Sequence, residues 1–224
     1  MNERLWGILV DAFPKILFYG VKVTIPLTIL SFALAMVIAV IVALIQYAGV
    51  KGAKQVCRFY IWIIRGTPLL VQLYIVFYGL PSVGITLDAF PAAVLVFGFN
   101  EGAYMAETIR GTLEGVNVGQ LEAGYCVGMS YWKIMWHVVL PQALRTAFPA
   151  LSNSLISMLK GTSLAATITV TEMLQAVKMI NGRVYATLGL YCEVALIYLA
   201  FCTILTWVQR RSEKRLAGYG GLRV

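Results

Sequence analysis

Charge is scarce in this chain. Asp, Glu, Lys and Arg make up 12% of its 224 residues, about half their share in an ordinary soluble domain, which excludes a water-soluble fold of this size. Histidine is nearly absent, with His137 alone, and the four cysteines Cys57, Cys126, Cys192 and Cys202 are widely spaced without a C-x-x-C pair. No zinc or haem site is expected, no metal ligand is assigned, and the cysteines read as small buried hydrophobes. There is no Gly-x4-Gly-Lys-Ser/Thr loop to cradle phosphates, no serine elbow and no His-Glu-x-x-His motif. The chain is therefore expected to be no enzyme, to carry no catalytic residue and to bind no nucleotide itself. A cleavable leader is not apparent either, because Met1–Lys15 carries Glu3, Arg4, Asp11 and Lys15 in place of a short apolar core and a small-residue cleavage site.

What is abundant is hydrocarbon. Hydrophobic residues make up 60% of the chain and the mean hydropathy is +0.80, the composition of an all-α integral membrane protein. The cations outnumber the acids, 18 to 10, for a net charge of +8. They punctuate apolar runs instead of gathering in one basic patch, so a nucleic-acid partner is not expected and the positive-inside rule is the useful reading. Five crossings are expected, each near the roughly 20 residues that span hydrocarbon. They run over Val21–Ile45, Arg58–Leu80, Pro91–Leu113, Pro141–Ile168 and Tyr185–Trp207. Lys51, Lys54 and Arg58 mark the first loop as cytoplasmic, and Arg210, Arg211, Lys214 and Arg215 do the same for the C-terminus. With five crossings the N-terminus is then outside. The loop Leu80–Asp88, without lysine or arginine, and the connection Val170–Arg183 fall outside as well, although Lys178 and Arg183 count against the latter. Three segments follow: residues 1–18 as an interfacial amphipathic piece that Pro14 interrupts, 19–209 as the transmembrane domain, and 210–224 as a basic cytoplasmic tail.

Several crossings carry polar residues. Arg65-Gly66-Thr67-Pro68 predicts a bent or broken second crossing, since proline removes a backbone donor. In the third, Asn100, Tyr104 and Glu107 share a face at i, i+4 and i+7; in the fourth, Asn153, Ser157 and Lys160 do the same, just before Gly161-Thr162-Ser163. Pro149 and Gly161 are expected to interrupt that fourth helix, leaving it to line a cavity. Ionised groups at such depth need partners: Glu107 and Lys160 neutralising each other is one solution, and Arg65 pairing with Glu101 or Glu193 another. Gly98 and Gly102, then Gly111, Gly115 and Gly119, recur at intervals of four and predict close helix approach.

One stretch does not belong in hydrocarbon. Gly119–Ala143 holds a carboxylate, three glycines and several aromatics. Glu122–Val127 suits a short helix that Gly128 ends, and Ser130 stands where it would cap a second helix, with Lys133 at N3 denying it a capping box. The expected product is a helix, a tight bend and a second helix lying across the membrane face.

Glu122-Ala123, Gly128, and Val138-Val139-Leu140-Pro141 nine residues later resemble the Glu-Ala-Ala loop of the membrane permease subunits of ATP-binding-cassette importers, with Gly124 replacing the second alanine and Val138 an isoleucine. Arg65–Gln72 resembles the corresponding segment of the polar amino-acid permeases (histidine, glutamine and cystine types). Ser157–Ala165 resembles their Lys-Asp-Thr-Ser-Leu segment with Gly161 in place of Asp. The resemblance implies a multi-pass permease in a bacterial cytoplasmic (inner) membrane. Its implied partners are ATPase subunits, which use ATP and Mg, a second permease copy or paralogue, an extracytoplasmic substrate-binding protein and membrane lipid. It implies coupling to the ATPase through about residues 117–141, with Glu122, Ala123, Gly124, Gly128, Met129, Tyr131 and Trp132 at the contact. It further implies a polar amino acid as substrate: Asn100, Tyr104 and Glu107 would receive its ammonium, and Lys160, with Ser157, Thr162 and Ser163, its carboxylate. The missing carboxylate at position 161 disfavours arginine and lysine relative to glutamine or cystine. The competing expectation is an ion-coupled secondary carrier working without an ATPase through Glu101, Glu107 and Lys160, but no internal repeat supports it.

Overall fold

The computed structural model describes residues 2–218, all of whose regular structure is helical; the last six residues of the expected basic tail lie outside the described residues. The chain opens with α1 (Asn2–Tyr19), passes through a π turn at Gly20–Thr24 and continues as α2 (Ile25–Ala48). Glu3–Ala48 is a single helix of 46 residues, roughly 70 Å long at 1.5 Å per residue and so more than twice the depth of a hydrocarbon core. Residues 3–18 thus run on into the expected first crossing as one rod. Pro14 lies inside α1 without interrupting it.

The second crossing is broken where expected. α3 (Ala53–Gly66) and the segment that opens with α4 (Leu69–Tyr74) meet at 103°. Thr67, which precedes Pro68, is extended (φ −122°, ψ 143°), the conformation that proline imposes on its predecessor. The expected third crossing corresponds to α5 (Ala89–Glu114), followed by the short helices α6 (Val118–Cys126) and α7 (Tyr131–Ile134). The fourth is α8 (Leu140–Gly161), which a 3-10 turn extends over Thr162–Ile168. Pro149 lies inside α8, which runs on to Gly161; only the second of the two expected interruptions ends it. α9 (Met173–Val184) and α10 (Thr187–Gly218) complete the order. Among the described residues, Glu3–Ala48 and Thr187–Arg215 are long and apolar enough to cross a membrane, and the bent pair makes a third if counted as one. α5 and α8 are not among them, because polar and charged side chains lower their hydropathy.

α2 and α5 run in parallel, with Leu34 beside Gly98 and Ile38 beside Gly102. A β-carbon at Gly102 would sit 3.0 Å from Ile38 Cγ2. Ala35, Ala39 and Ala43 are fully buried in the same core as Ala103 and Ala106, so small side chains let the two backbones close on each other. Gly111, Gly115 and Gly119 do not repeat this: Gly111 has open space where a β-carbon would go, and the nearest atoms to the other two belong to neighbouring turns of the same chain. A second core joins Leu27, Leu73, Ala92, Val96 and Phe97 to Ala165 and Ile168. A third packs Ala12 and Ile16 of α1 on Met173 and Val177 of α9 and on Leu190 and Val194 of α10. The α9 start is fixed by Glu172, which is fully buried. Its carboxylate accepts from the Gln175 N–H at 2.8 Å and from the Tyr198 hydroxyl at 2.6 Å, so one side chain caps α9 and ties it to α10. Of the cysteines only Cys57 is buried; Cys126 and Cys192 are exposed. In a membrane protein the outward face is apolar too, so an apolar residue is not thereby an inner one.

Candidate functional site

The loop after α5 folds as a hook. Asn117 caps α6, its Oδ1 accepting from the Gly119 N–H at 2.8 Å. At the other end Gly128 is left-handed (φ 76°). Its N–H donates to Tyr125 O and that of Met129 to Gly124 O, at 2.9 and 3.0 Å, a double closure that satisfies the last carbonyls of α6 and turns the chain back. Ser130 stands at the N-cap of α7 with extended backbone, but its hydroxyl makes no capping bond. α7 holds instead through Ile134 and Met135, buried in the core shared with α2, α5 and α8. Gly124 faces Ile134, and a β-carbon there would lie 2.7 Å from Ile134 Cγ1.

This rigid inner side presents a sticky outer one. Glu122, Ala123, Gly128, Tyr131 and Trp132 are exposed, Met129 is half-buried and Gly124 buried. Val127 is 75% and Trp132 70% exposed. Val127, Tyr125 and Trp136 extend the apolar surface beyond the residues that the loop spacing singled out.

α3, α5 and α8 line a wide-open cavity of about 750 Å³ with polar side chains on its floor. Arg65 comes from the end of α3, Glu101, Tyr104, Glu107 and Thr108 from α5, and Asn153, Ser154 and Ser157 from α8. The two expected helix faces do meet here, though only in part. Tyr104, Glu107 and Ser157 line the space; Asn100, Lys160, Thr162 and Ser163 do not.

Three of the four have a local partner, and Lys160 is exposed. Asn100 is buried and donates to Gln72 Oε1 at 3.0 Å. Gln72 in turn donates to Ile64 O at 2.9 Å and to the Thr67 hydroxyl at 2.8 Å, closing the carbonyls freed by the break at Pro68. Thr162 is fully buried with its hydroxyl on Leu159 O at 2.7 Å, and the Ser163 hydroxyl donates to Lys160 O at 2.9 Å. These two hydroxyls finish α8 instead of lining the cavity.

Glu107 is not paired with Lys160. Arg110 grips it with Nε on Oε1 at 3.1 Å and Nη2 on Oε2 at 3.0 Å, and the Gln46 amide donates to Oε1 at 3.3 Å. Arg110 also reaches Glu114 at 2.6 Å. The carboxylate partner of Arg65 is Glu107, at 3.9 Å, in place of Glu101 or Glu193, and its guanidinium lies 5.1 Å from the centre of the Tyr104 ring. The i, i+3 and i, i+4 spacing of Arg110 with these two acids was a sequence signal for the pairing. The cavity therefore holds a cation stacked on an aromatic ring, a carboxylate already neutralised, and a second carboxylate, Glu101, facing the amide and hydroxyls of α8. It suits a small solute carrying both charges. Among the described residues no cluster of three or more His, Cys, Asp or Glu side chains is arranged to hold a metal.

Comparison with known proteins places this architecture. Residues 35–218 match the family model described as the binding-protein-dependent transport system inner membrane component. The L-cystine transport system permease protein TcyB of Bacillus subtilis is 45% identical over 96% of this chain and 92% of its own. The glutamine transport system permease protein GlnP of Escherichia coli is 34% identical over 94% and 97%. A solved structure of an amino acid ABC transporter with histidines superposes with a TM-score of 0.82 at 30% identity, covering 96% of each chain. The chain belongs to the family of binding-protein-dependent transport system inner membrane components, the permease subunits of ATP-binding-cassette importers, which pass solute through a membrane and catalyse no reaction.

Proposed function

We infer that this permease carries a polar amino acid, with cystine or glutamine favoured over arginine or lysine, into a bacterial cytoplasm. The hook carries the reading: a short helix stopped by left-handed Gly128, braced through Ile134 and offering Glu122, Ala123, Tyr131 and Trp132 to a partner. An ATPase seated there, holding ATP and Mg that this chain does not bind, moves the hook, and the packed end of α5 transmits that motion to the cavity. Five crossings with the N-terminus outside and the C-terminus inside bring the hook and the Lys51 loop to the ATPase side. Tyr104, Glu107 and Ser157, joined by Arg65, Glu101 and Asn153, contact the solute; Asn100, Thr162 and Ser163 brace the surrounding helices, and Lys160 lies outside the cavity. The cavity is open along the exposed Tyr104 and the half-buried Thr108, and a second permease copy or paralogue completes it. An extracytoplasmic binding protein delivers the solute. The preference for a neutral side chain rests on Gly161 and on the cystine and glutamine permeases among the relatives.

The test is the complex reconstituted with its ATPase and binding protein. Glu122→Lys and Gly128→Val are expected to abolish substrate-stimulated ATP hydrolysis while leaving the helical fold intact. Wild-type stimulation in both variants overturns the reading.

A further inference from the structure

The groove between α1 and α9 has no part in the hook or in the polar cavity. It is open, about 620 Å³ in volume. Lys15 and Phe18 form one wall; Met179, Ile180, Arg183 and Val184 form the other. Lys15 and Arg183 are exposed and, among the described residues, neither lies within ion-pair distance of a carboxylate. Lys22 adds a third cation, its Nζ 5.2 Å from the centre of the Phe18 ring. Leu9 lies against Gly189 and Gly20 against Phe201, so α1 runs beside the first half of α10 in the same direction. Lys15 is therefore level with the third turn of α10, in the half of that helix that the proposed topology turns outward.

Cations on that side run against the positive-inside rule. Two of them, unpaired above an apolar trough that opens sideways, match one kind of molecule: an anion carrying a hydrocarbon chain. We propose that this groove binds an anionic phospholipid of the outer leaflet. Its phosphate sits between Lys15 and Arg183, and one acyl chain lies along Phe18, Met179 and Ile180. Because Met173 and Val177 of α9 share a core with Ala12 and Ile16 of α1 and with α10, the lipid bridges the outer surface of that three-helix unit. The choice of leaflet rests on the topology proposed above; the charge and shape of the groove do not.

The test uses the full chain in complex with its ATPase, purified in mild detergent and offered phosphatidylglycerol or phosphatidylcholine, with bound lipid counted by native mass spectrometry. Phosphatidylglycerol is expected to be retained preferentially. Lys15→Gln and Arg183→Gln should each weaken its retention about fivefold, and the double variant about thirtyfold, the electrostatic worth of cations at a membrane surface. Lys178→Gln, on the same helix but outside the groove, should change nothing. Equal retention of both lipids, or a preference that survives the double variant, overturns the proposal. So does a change of oligomeric state in the double variant without change in lipid, which would make a second copy of the chain the occupant. Labelling of Ser82→Cys in a cysteine-free background by an impermeant thiol reagent reads the topology separately: labelling from the cytoplasmic side alone sinks the assigned leaflet and the topology together, whereas labelling from outside with lost lipid preference sinks the lipid site alone.

Discussion

Ile134 fills the space that a side chain at position 124 would need: a β-carbon on Gly124 would stand 2.7 Å from its Cγ1 and 2.9 Å from its Cδ1. The glycine that replaces alanine in the Glu-Ala-Ala pattern is thus matched by a bulky neighbour across the bend, and α6 is set at a fixed distance from α7 instead of being loosened.

Gly124→Ala is expected to overpack this contact, at a cost of about 1–3 kcal/mol. Ile134→Ala in the same chain should recover part of the loss, since it removes both Cγ1 and Cδ1, the atoms that a β-carbon at position 124 would meet. Thermal unfolding of the purified chain and substrate-stimulated ATP hydrolysis by the complex measure the two effects; an additive pair of substitutions would show that the residues are not coupled.

At Gly128 the constraint is conformational and not steric, as no atom lies within 4 Å of a built β-carbon but φ is 76°. Gly128→Ala should cost about 1–2 kcal/mol and Gly128→Asn less, because asparagine tolerates the left-handed region. Affinity for the ATPase, titrated with labelled subunits, should fall in the same order. Equal binding by both variants would show that the hook does not need its double-closed end.

Asn100 and Gln72 act in series on the break in the second crossing. Asn100→Leu and Gln72→Leu are each expected to destabilise by about 1–3 kcal/mol, the cost of leaving buried polar groups unpaired. Combined, they should cost clearly less than the sum, because either one alone disconnects the Gln72 amide from its place between Ile64 and Asn100. Denaturation in detergent gives all three values.

Glu107→Gln takes the carboxylate from the exposed Arg65 and one of two from the half-buried Arg110, which keeps Glu114, and should reduce transport strongly while the chain still assembles. Lys160→Gln should leave the Glu107 cluster untouched and lower transport far less. Uptake of radiolabelled cystine and glutamine into proteoliposomes separates the cases, and equal losses would restore a direct Glu107–Lys160 pairing.

The sequence by itself determined what depends on neighbours along the chain. The long apolar runs fixed an all-helical membrane protein, Thr67-Pro68 fixed a break, and Gly128 fixed a bend, because period, missing donors and allowed backbone angles are local properties. Spacing from Glu122 to Pro141 likewise identified the hook. Only the tertiary structure decided which polar residues face the cavity. Asn100, Tyr104 and Glu107 share one helical face by spacing, yet Asn100 turns to Gln72, 28 positions away, and Glu107 to Gln46, 61 positions away. Helical periodicity reports a direction around one rod; it carries no information on which neighbour stands there. Those partners are set by how far small residues such as Gly98, Gly102 and Ala39 let the rods approach. A polar group in hydrocarbon then takes the nearest one that satisfies it.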